Sequence, residues 1–366
     1  MLFWVILFFL LMAMAAGGVV YLFTRFHRFS FIEKLAERHK LLSWLICLIP
    51  LGGLACLCLI NYYTFIVVIL HLLIFWIIAD IAAAVVRRAA KKERRRNTEG
   101  AAAIIFTAVY LAFGWYNAHN VRRTEYDLHT DKPLPNGSLK IAAIADAHIG
   151  ITLDGDGFAR EMERISAEEP DILLIAGDFV DDDTCRSDML RACEALGNTS
   201  VRYGTYFIEG NHDKGYMEGH RNFTLEEMYA ELKRNGVTVL SDEITQAAEG
   251  VAVIGRRDKY NEDRKAMSGL AKDMDLSCYN IVLDHQPNDY AAEAESGADL
   301  VYSGHTHGGH IWPSGYIGLL LKANDKVYGQ ETRGDTQFIV TSGISGWAIP
   351  FKTGTYSEYN IINVSN

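Results

Sequence analysis

The 366-residue sequence is poor in cysteine and proline, with six and seven, and no two cysteines stand in the Cys-x-x-Cys spacing of a zinc-finger or redox motif. Cys47, Cys56 and Cys58 fall in one apolar run, and Cys185, Cys193 and Cys278 are an odd number in the remainder. A bridge between Cys185 and Cys193 is opposed by the helical pattern between them, since eight residues of helix put about 12 Å between the two ends. Acidic residues are scarce early on: residues 1–123 carry 5 Asp+Glu against 14 Lys+Arg, whereas 124–366 carry 40 against 21. The long acidic part has no Lys/Arg tract, which argues against nucleic acid as the main partner. No internal repeat or low-complexity segment is present.

What the first third does have is uncharged length. Runs over 1–24, 41–60, 62–86 and 101–116 are long and apolar enough to span a bilayer, which takes roughly 20 residues, so a wholly soluble protein is excluded and residues 1–121 are expected to form four transmembrane helices. Ala13-Met14-Ala15 looks like a signal cleavage site, but the first run has no basic leader and further apolar helices follow, so it is expected to be retained. The first connecting loop carries Arg25, Arg28, Lys34, Arg38 and Lys40, and the third Arg87, Arg88, Lys91, Lys92, Arg94, Arg95 and Arg96. Positive loops stay in the cytoplasm, which places the N-terminus, the Asn61 loop and everything after the fourth helix outside it, at an inner membrane. Two ionisable residues lie inside the third run. His71 and Asp80 are nine positions apart, on opposite helix faces, so they do not form one site; Asp80 is expected to pair with an arginine of the adjacent loop.

Residues 122–366 are expected to form an α/β domain. After the connector Lys132-Pro133-Leu134-Pro135-Asn136-Gly137, short apolar runs at 139–145, 172–176, 205–208, 251–254, 280–283, 300–302 and 337–341 predict strands. Helical patterns stand at 158–167 and at 225–234, the latter opened by the capping box Thr224-x-x-Glu227. Five strands run into metal-ligand residue types: Asp146-Ala147-His148, Gly177-Asp178-Phe179-Val180-Asp181, Gly210-Asn211-His212-Asp213, His285, and Gly304-His305-Thr306-His307. Ligands of such sheets gather at the carboxyl ends of strands, and nitrogen and oxygen donors without thiolate suit Mn, Fe or Zn. Any one of these motifs occurs by chance. Five in order, each after a strand, do not, because buried carboxylates and imidazoles without a cation would be left unpaired.

Over about 122–366 these blocks resemble the calcineurin-like metallophosphoesterase superfamily, and within it the membrane-attached bacterial branch that includes transmembrane proteins with a metallophosphoesterase domain and some UDP-2,3-diacylglucosamine hydrolases. The resemblance implies a four-layer αββα sandwich holding two divalent metal ions. Carried over by position, one ion takes Asp146, His148, Asp178 and His307, and the other Asp178, Asn211, His285 and His305. Asp178 then bridges, and the site's excess positive charge attracts phosphate and generates hydroxide from a bridging water near neutral pH. His212 is implied as the acid that protonates the leaving alkoxide, with Asp181 orienting its ring.

Departures from relatives narrow the substrate. Phosphoprotein phosphatases of the superfamily have Arg and Glu where this chain has Asp182 and Asp213, and purple acid phosphatases have a tyrosine ligand where it has Asp181. Neither activity is expected. The implied reaction is hydrolysis of a phosphodiester or pyrophosphate, with a lipid-linked substrate favoured by the membrane helices and no protein partner implied. The alternatives are a UDP-2,3-diacylglucosamine hydrolase and a metal-holding membrane sensor without catalysis. His310, just past the last motif, is expected to be a solvated loop residue unless it touches substrate.

Overall fold

The computed structural model describes residues 2–91, 97–217 and 219–366, so the expected cytoplasmic charges Lys92, Arg94, Arg95 and Arg96 lie outside the described residues. The chain divides into two compact units, Met1–Phe113 and Gly114–Asn366.

The first unit is helical: α1 Leu2–Phe26, α2 Ser30–Arg38, α3 Lys40–Ile46, α4 Leu48–Ala55, α5 Tyr62–Ala90 and most of α6 Thr98–His119. Among the described residues, four stretches are long and apolar enough to cross a membrane: Ile6–Phe26, Lys40–Leu59, Tyr62–Ala90 and Thr98–His119. The second is not one continuous helix. α3 and α4 meet at Cys47, three residues before Pro50, which has no amide hydrogen to return to the preceding turn. α5 begins on Asn61, whose side chain accepts from the Thr64 amide at 2.7 Å.

Asp80 is paired, and its partners among the described residues come from the end of α1 instead of from the loop beside it. Arg25 Nε lies 2.7 Å away and Arg28 3.8 Å away, both near the end of α1, and the Tyr21 hydroxyl donates to Asp80 at 2.8 Å. Arg87 stands two turns further along the same helix, about 10 Å on, and pairs instead with Glu99 at 2.9 Å. The ends of α1 and α5 therefore share one end of this unit, which two basic loops on one side of a membrane require. His71 donates Nδ1–H to the Val67 carbonyl at 2.8 Å and packs against Tyr110.

The second unit contains two six-stranded sheets. Its elements are β1 Arg122–His129, β2 Ser138–Ile144, α7 Gly155–Ser166, β3 Ile172–Ala176, α8 Arg186–Asn198, β4 Thr205–Ile208, α9 Leu225–Arg234, β5 Val237–Leu240, β6 Glu243–Ala248, β7 Val251–Gly255, α10 Met267–Leu270, β8 Tyr279–Leu283, α11 Tyr290–Ala294, β9 Leu300–Ser303, α12 Ser314–Leu320, β10 Gly329–Arg333, β11 Thr336–Val340 and β12 Glu358–Ser365. One sheet runs β1-β12-β2-β3-β4-β5 and the other β10-β11-β9-β8-β7-β6. Alternation assigns the faces. Ile141, Ala143, Leu174, Val253 and Ile281 fill the core between the sheets. Ala142, Ile144, Leu173 and Ile175 face outward onto Phe158, Met162, Met189 and Leu232 of α7, α8 and α9. On the other sheet Ala252, Ile254 and Val282 pack outward onto Met267, Leu270 and Tyr290. The result is a helix-sheet-sheet-helix sandwich.

All seven expected strands and both expected helices form. β1, β5, β6, β10 and β12 were not expected. β1 reads Arg-Arg-Thr-Glu-Tyr-Asp-Leu-His and is an edge strand, where charge is tolerated and the apolar signal vanishes. It pairs in parallel with β12, Arg122 opposite Glu358, so the sandwich begins ahead of the Pro-rich connector. The six cysteines are free thiols; Cys185 is exposed and Cys193 buried in α8.

Candidate metal centre

β2, β3 and β4 are parallel neighbours in one sheet, and β8 and β9 in the other. The five motif-bearing loops therefore leave the two sheets at one edge. Asp146 and His148 follow β2, Asp178 follows β3, Asn211 and His212 follow β4, His285 follows β8, and His305 and His307 follow β9. The structure brings nearly all of them into two adjoining clusters. Donor atoms of Asp146, His148 and His307 lie within 4.8 Å of one another, and so do those of Asp178, His285 and His305.

Asp178 faces both clusters: its Oδ2 is 3.0 Å from His285 Nε2 and 3.7 Å from His148 Nε2, while its Oδ1 accepts the His212 amide at 2.8 Å. His148 Nε2 and His307 Nε2 stand 3.2 Å apart. Two nitrogens bound to one ion at about 2.0–2.1 Å are separated by about 3 Å, so this spacing is what one shared cation produces.

Protonation sharpens the fit. His285 donates Nδ1–H to the Ala176 carbonyl at 2.7 Å, which turns Nε2 toward a carboxylate oxygen. Lone pair against lone pair repels unless a cation or proton intervenes. Burial lowers the His285 pKa, but the charges of Asp178 and Asp146 drive it well above the ordinary range. Asn211 spends its amide nitrogen on the Tyr216 hydroxyl at 2.8 Å, leaving a buried Oδ1 with no hydrogen bond. Unpaired buried acceptors cost about 1–3 kcal/mol each, and the donor set, imidazole with carboxylate and amide oxygen, suits a borderline divalent ion.

The backbone is bent to make this arrangement. Asp146, His148, Asp178, His305 and His307 all have positive φ, between 35° and 69°. Left-handed non-glycine residues cluster where a site over-determines them. Gly177 has φ +82°, and a Cβ there would meet the Gly210 amide at 2.6 Å; a Cβ on Gly210 would meet Asp178 Oδ1 at 2.2 Å. Only glycines let these two loops touch.

Asp213 is the hub that sequence reasoning missed. Its buried carboxylate accepts the amides of Asp178, Phe179, Val180 and Gly210 at 2.7–3.0 Å. Burial and the Asp178 charge push its pKa up to about 7 against those amides. The sequence signal was its place in Gly210-Asn211-His212-Asp213, read only as a departure from protein phosphatases. Asp182 likewise turns inward and accepts the Tyr216 amide at 3.0 Å, anchoring the loop that carries Tyr216.

His212 lies at 3.5 Å, Nδ1 to Oδ1, from Asp181, with its ring against Tyr216 and Trp347. Burial lowers its pKa, yet Asp178 and Asp181 leave it raised. Asp181 serves two rings, and the closer one is His148, Nδ1 to Oδ2 3.1 Å. Burial raises the Asp181 carboxyl, but His148 and His212 hold it well below the usual range. His310 is not a solvated loop residue. Its ring stacks on His307 at 5.2 Å, and burial, with the Lys352 charge, lowers its pKa to about 3.

The profile of the calcineurin-like phosphoesterase family matches residues 139–309, which include all of these motifs. A putative metallophosphoesterase of Caenorhabditis elegans is 30% identical over 68% of this chain and 54% of its own length. The bovine "Transmembrane protein with metallophosphoesterase domain" is 30% identical over 70% of this chain and 60% of its own. An uncharacterized metallophosphoesterase of Aquifex aeolicus is 29% identical over 71% of this chain and 98% of its own. The chain thus spans little more than half the length of the first two. It is a membrane protein with four apolar helices, and its second unit is a calcineurin-like metallophosphoesterase domain.

Proposed function

We propose that this chain is a membrane-anchored phosphoesterase that uses two divalent ions to hydrolyse a phosphodiester or pyrophosphate on a lipid-linked substrate. One ion takes Asp146, His148, Asp178 and His307, and the other Asp178, Asn211, His285 and His305. The observation that carries this is the convergence of donor atoms, those of Asp146, His148 and His307 within 4.8 Å of one another and those of Asp178, His285 and His305 likewise, with Asn211 Oδ1 buried and unsatisfied beside them. When bound, the ions supply positive charge to the phosphoryl oxygens and activate the attacking water.

The chain's own residues do the rest. His212, an imidazole with a raised pKa, donates its proton to the leaving alkoxide. Asp181 orients that ring and His148 together, which couples proton delivery to ligand geometry. Asp182 is committed to backbone amides and leaves no arginine to grip a monoester dianion at that position, which favours diesters and pyrophosphates. The apolar helices favour a substrate in a bilayer, and the basic loops favour a domain outside the cytoplasm.

The test is a substrate panel with metal-reconstituted protein: a bis-aryl diester, an aryl monoester, a phospholipid and UDP-2,3-diacylglucosamine. Turnover of the diester and phospholipid above the monoester is expected. Preference for the monoester would overturn the substrate class, and selective turnover of the nucleotide lipid would favour the hydrolase alternative.

A further inference from the structure

The stretch from 311 to 324 differs from the acidic unit that carries it: it holds one lysine, Lys322, and no Asp or Glu. Its helix α12, Ser-Gly-Tyr-Ile-Gly-Leu-Leu, has no buried residue. Trp312 is 60% exposed, Tyr316 70% and Leu320 82%, and Ile317, Leu319 and Leu321 are exposed beside them. Six large apolar side chains on one short surface segment mark an interaction site.

The same unit shows what covers them. It includes the last six residues of α6, the end of a helix apolar and long enough to cross a bilayer. Trp115 and Tyr116 are half exposed there, as aromatic residues at a lipid-water boundary are. The Gly114 carbonyl accepts the Lys352 amide at 2.9 Å, and Asn117 Nδ2 donates to the Lys352 carbonyl at 3.3 Å. One residue on, the Thr353 amide donates to the His310 carbonyl at 3.0 Å, and the Thr353 hydroxyl accepts from the Trp312 amide at 3.1 Å. Two hydrogen-bonded steps thus join the end of α6 to the start of the apolar segment.

We propose that segment 311–321 docks on the bilayer in which the chain is itself anchored, with Trp312 and Tyr316 among the headgroups, the leucines below them and Lys322 reaching lipid phosphates. A second copy of the chain fits less well, because Trp and Tyr beside a leucine run with a lysine at its edge is the composition of an interfacial helix. His310 opens the segment and stacks on His307, so docking presents the metal centre to headgroups. That last consequence rests on the phosphoesterase reading; the docking does not.

The experiment uses the full chain in phosphatidylcholine vesicles containing phosphatidylglycerol, with and without lipids brominated near the headgroup. Subtracting the emission of Trp312→Phe from that of the unaltered chain isolates Trp312. Its emission should be blue-shifted, strongly quenched by brominated lipid and protected from iodide. Leu320→Asp, at a side chain exposed to solvent, should reverse both effects while the far-UV spectrum is unchanged. Quenching by iodide and not by brominated lipid would show a segment in water, and quenching by neither would show a protein cover; both overturn the proposal. No readout depends on turnover, so an inactive preparation would count against the phosphoesterase reading alone.

Discussion

Both units bury ionisable residues, and they treat them in opposite ways. Among the described residues of the helical unit, half-buried Asp80 is answered by Arg25, Arg28 and the Tyr21 hydroxyl, and buried Glu99 by Arg87. In the sandwich, at the strand ends, like groups converge instead. Imidazole faces imidazole at 3.2 Å, and Asp146, His148 and His307 crowd within 4.8 Å of one another, as do Asp178, His285 and His305. Charges paired one to one at an element's end are architecture; carboxylates and imidazoles crowded several to a cluster in left-handed backbone are a candidate site for a cation. The sandwich shows the first kind too, where buried Arg256 pairs with Asp284, Asp289 and Glu293, directly beside His285.

The largest effect expected in the comparison is at Asp213. Asp213→Ala would strand four buried amides; at about 1 kcal/mol each this is near 4 kcal/mol, close to a domain's whole margin. A urea titration should show the sandwich melting far earlier than in the unaltered chain. A shift under 1 kcal/mol would mean that the hub is dispensable.

His212→Ala is expected to keep fold and metal while kcat falls about 10² to 10⁴, the usual worth of general acid catalysis. The loss should be least on p-nitrophenyl esters, whose leaving group needs little protonation, and greatest on alkyl esters. Equal losses would mean that His212 stabilises phosphoryl charge instead of donating a proton. Its pH signature follows from the acid role: a general acid acts only while it holds its proton, and that form is lost as pH rises through its pKa. Alkyl-ester turnover should therefore fall on the alkaline side in the unaltered chain and show no such limb in His212→Ala.

Asp181→Asn sharpens the contrast further. Since the carboxylate serves His148 as well as His212, the variant should lose some metal affinity along with rate, about 10-fold in each. A rate loss at unchanged affinity would assign Asp181 to His212 alone.

The smallest effect is topological. In a chain lacking Cys185, a cysteine at Asn136 should react with an impermeant thiol reagent on intact cells, and one at Lys91 should not. The reverse pattern would turn the domain to the cytoplasm.

Much of this was legible in the sequence because its signals are local. An apolar run is a strand or span wherever it lands, and the motifs name their donor atoms. What escaped depends on partners distant in sequence. β1 carries charges and forms only because β12, more than 230 residues later, lies beside it. Asp80 finds Arg25 across 55 positions instead of Arg87 or Arg88 on its own helix. Asp213 reads as an ordinary carboxylate until four amides are seen to point at it. His310 looked solvated because a histidine between a glycine and an isoleucine carries no sign of the ring stacked against it.

The most direct test of the central claim is elemental analysis of bound metal in the full chain. Two ions per chain are expected in the unaltered protein, about one in His307→Ala and nearly none in Asp178→Asn, because Asp178 alone faces both clusters. Full occupancy in Asp178→Asn would contradict the shared, bridging carboxylate on which the account rests.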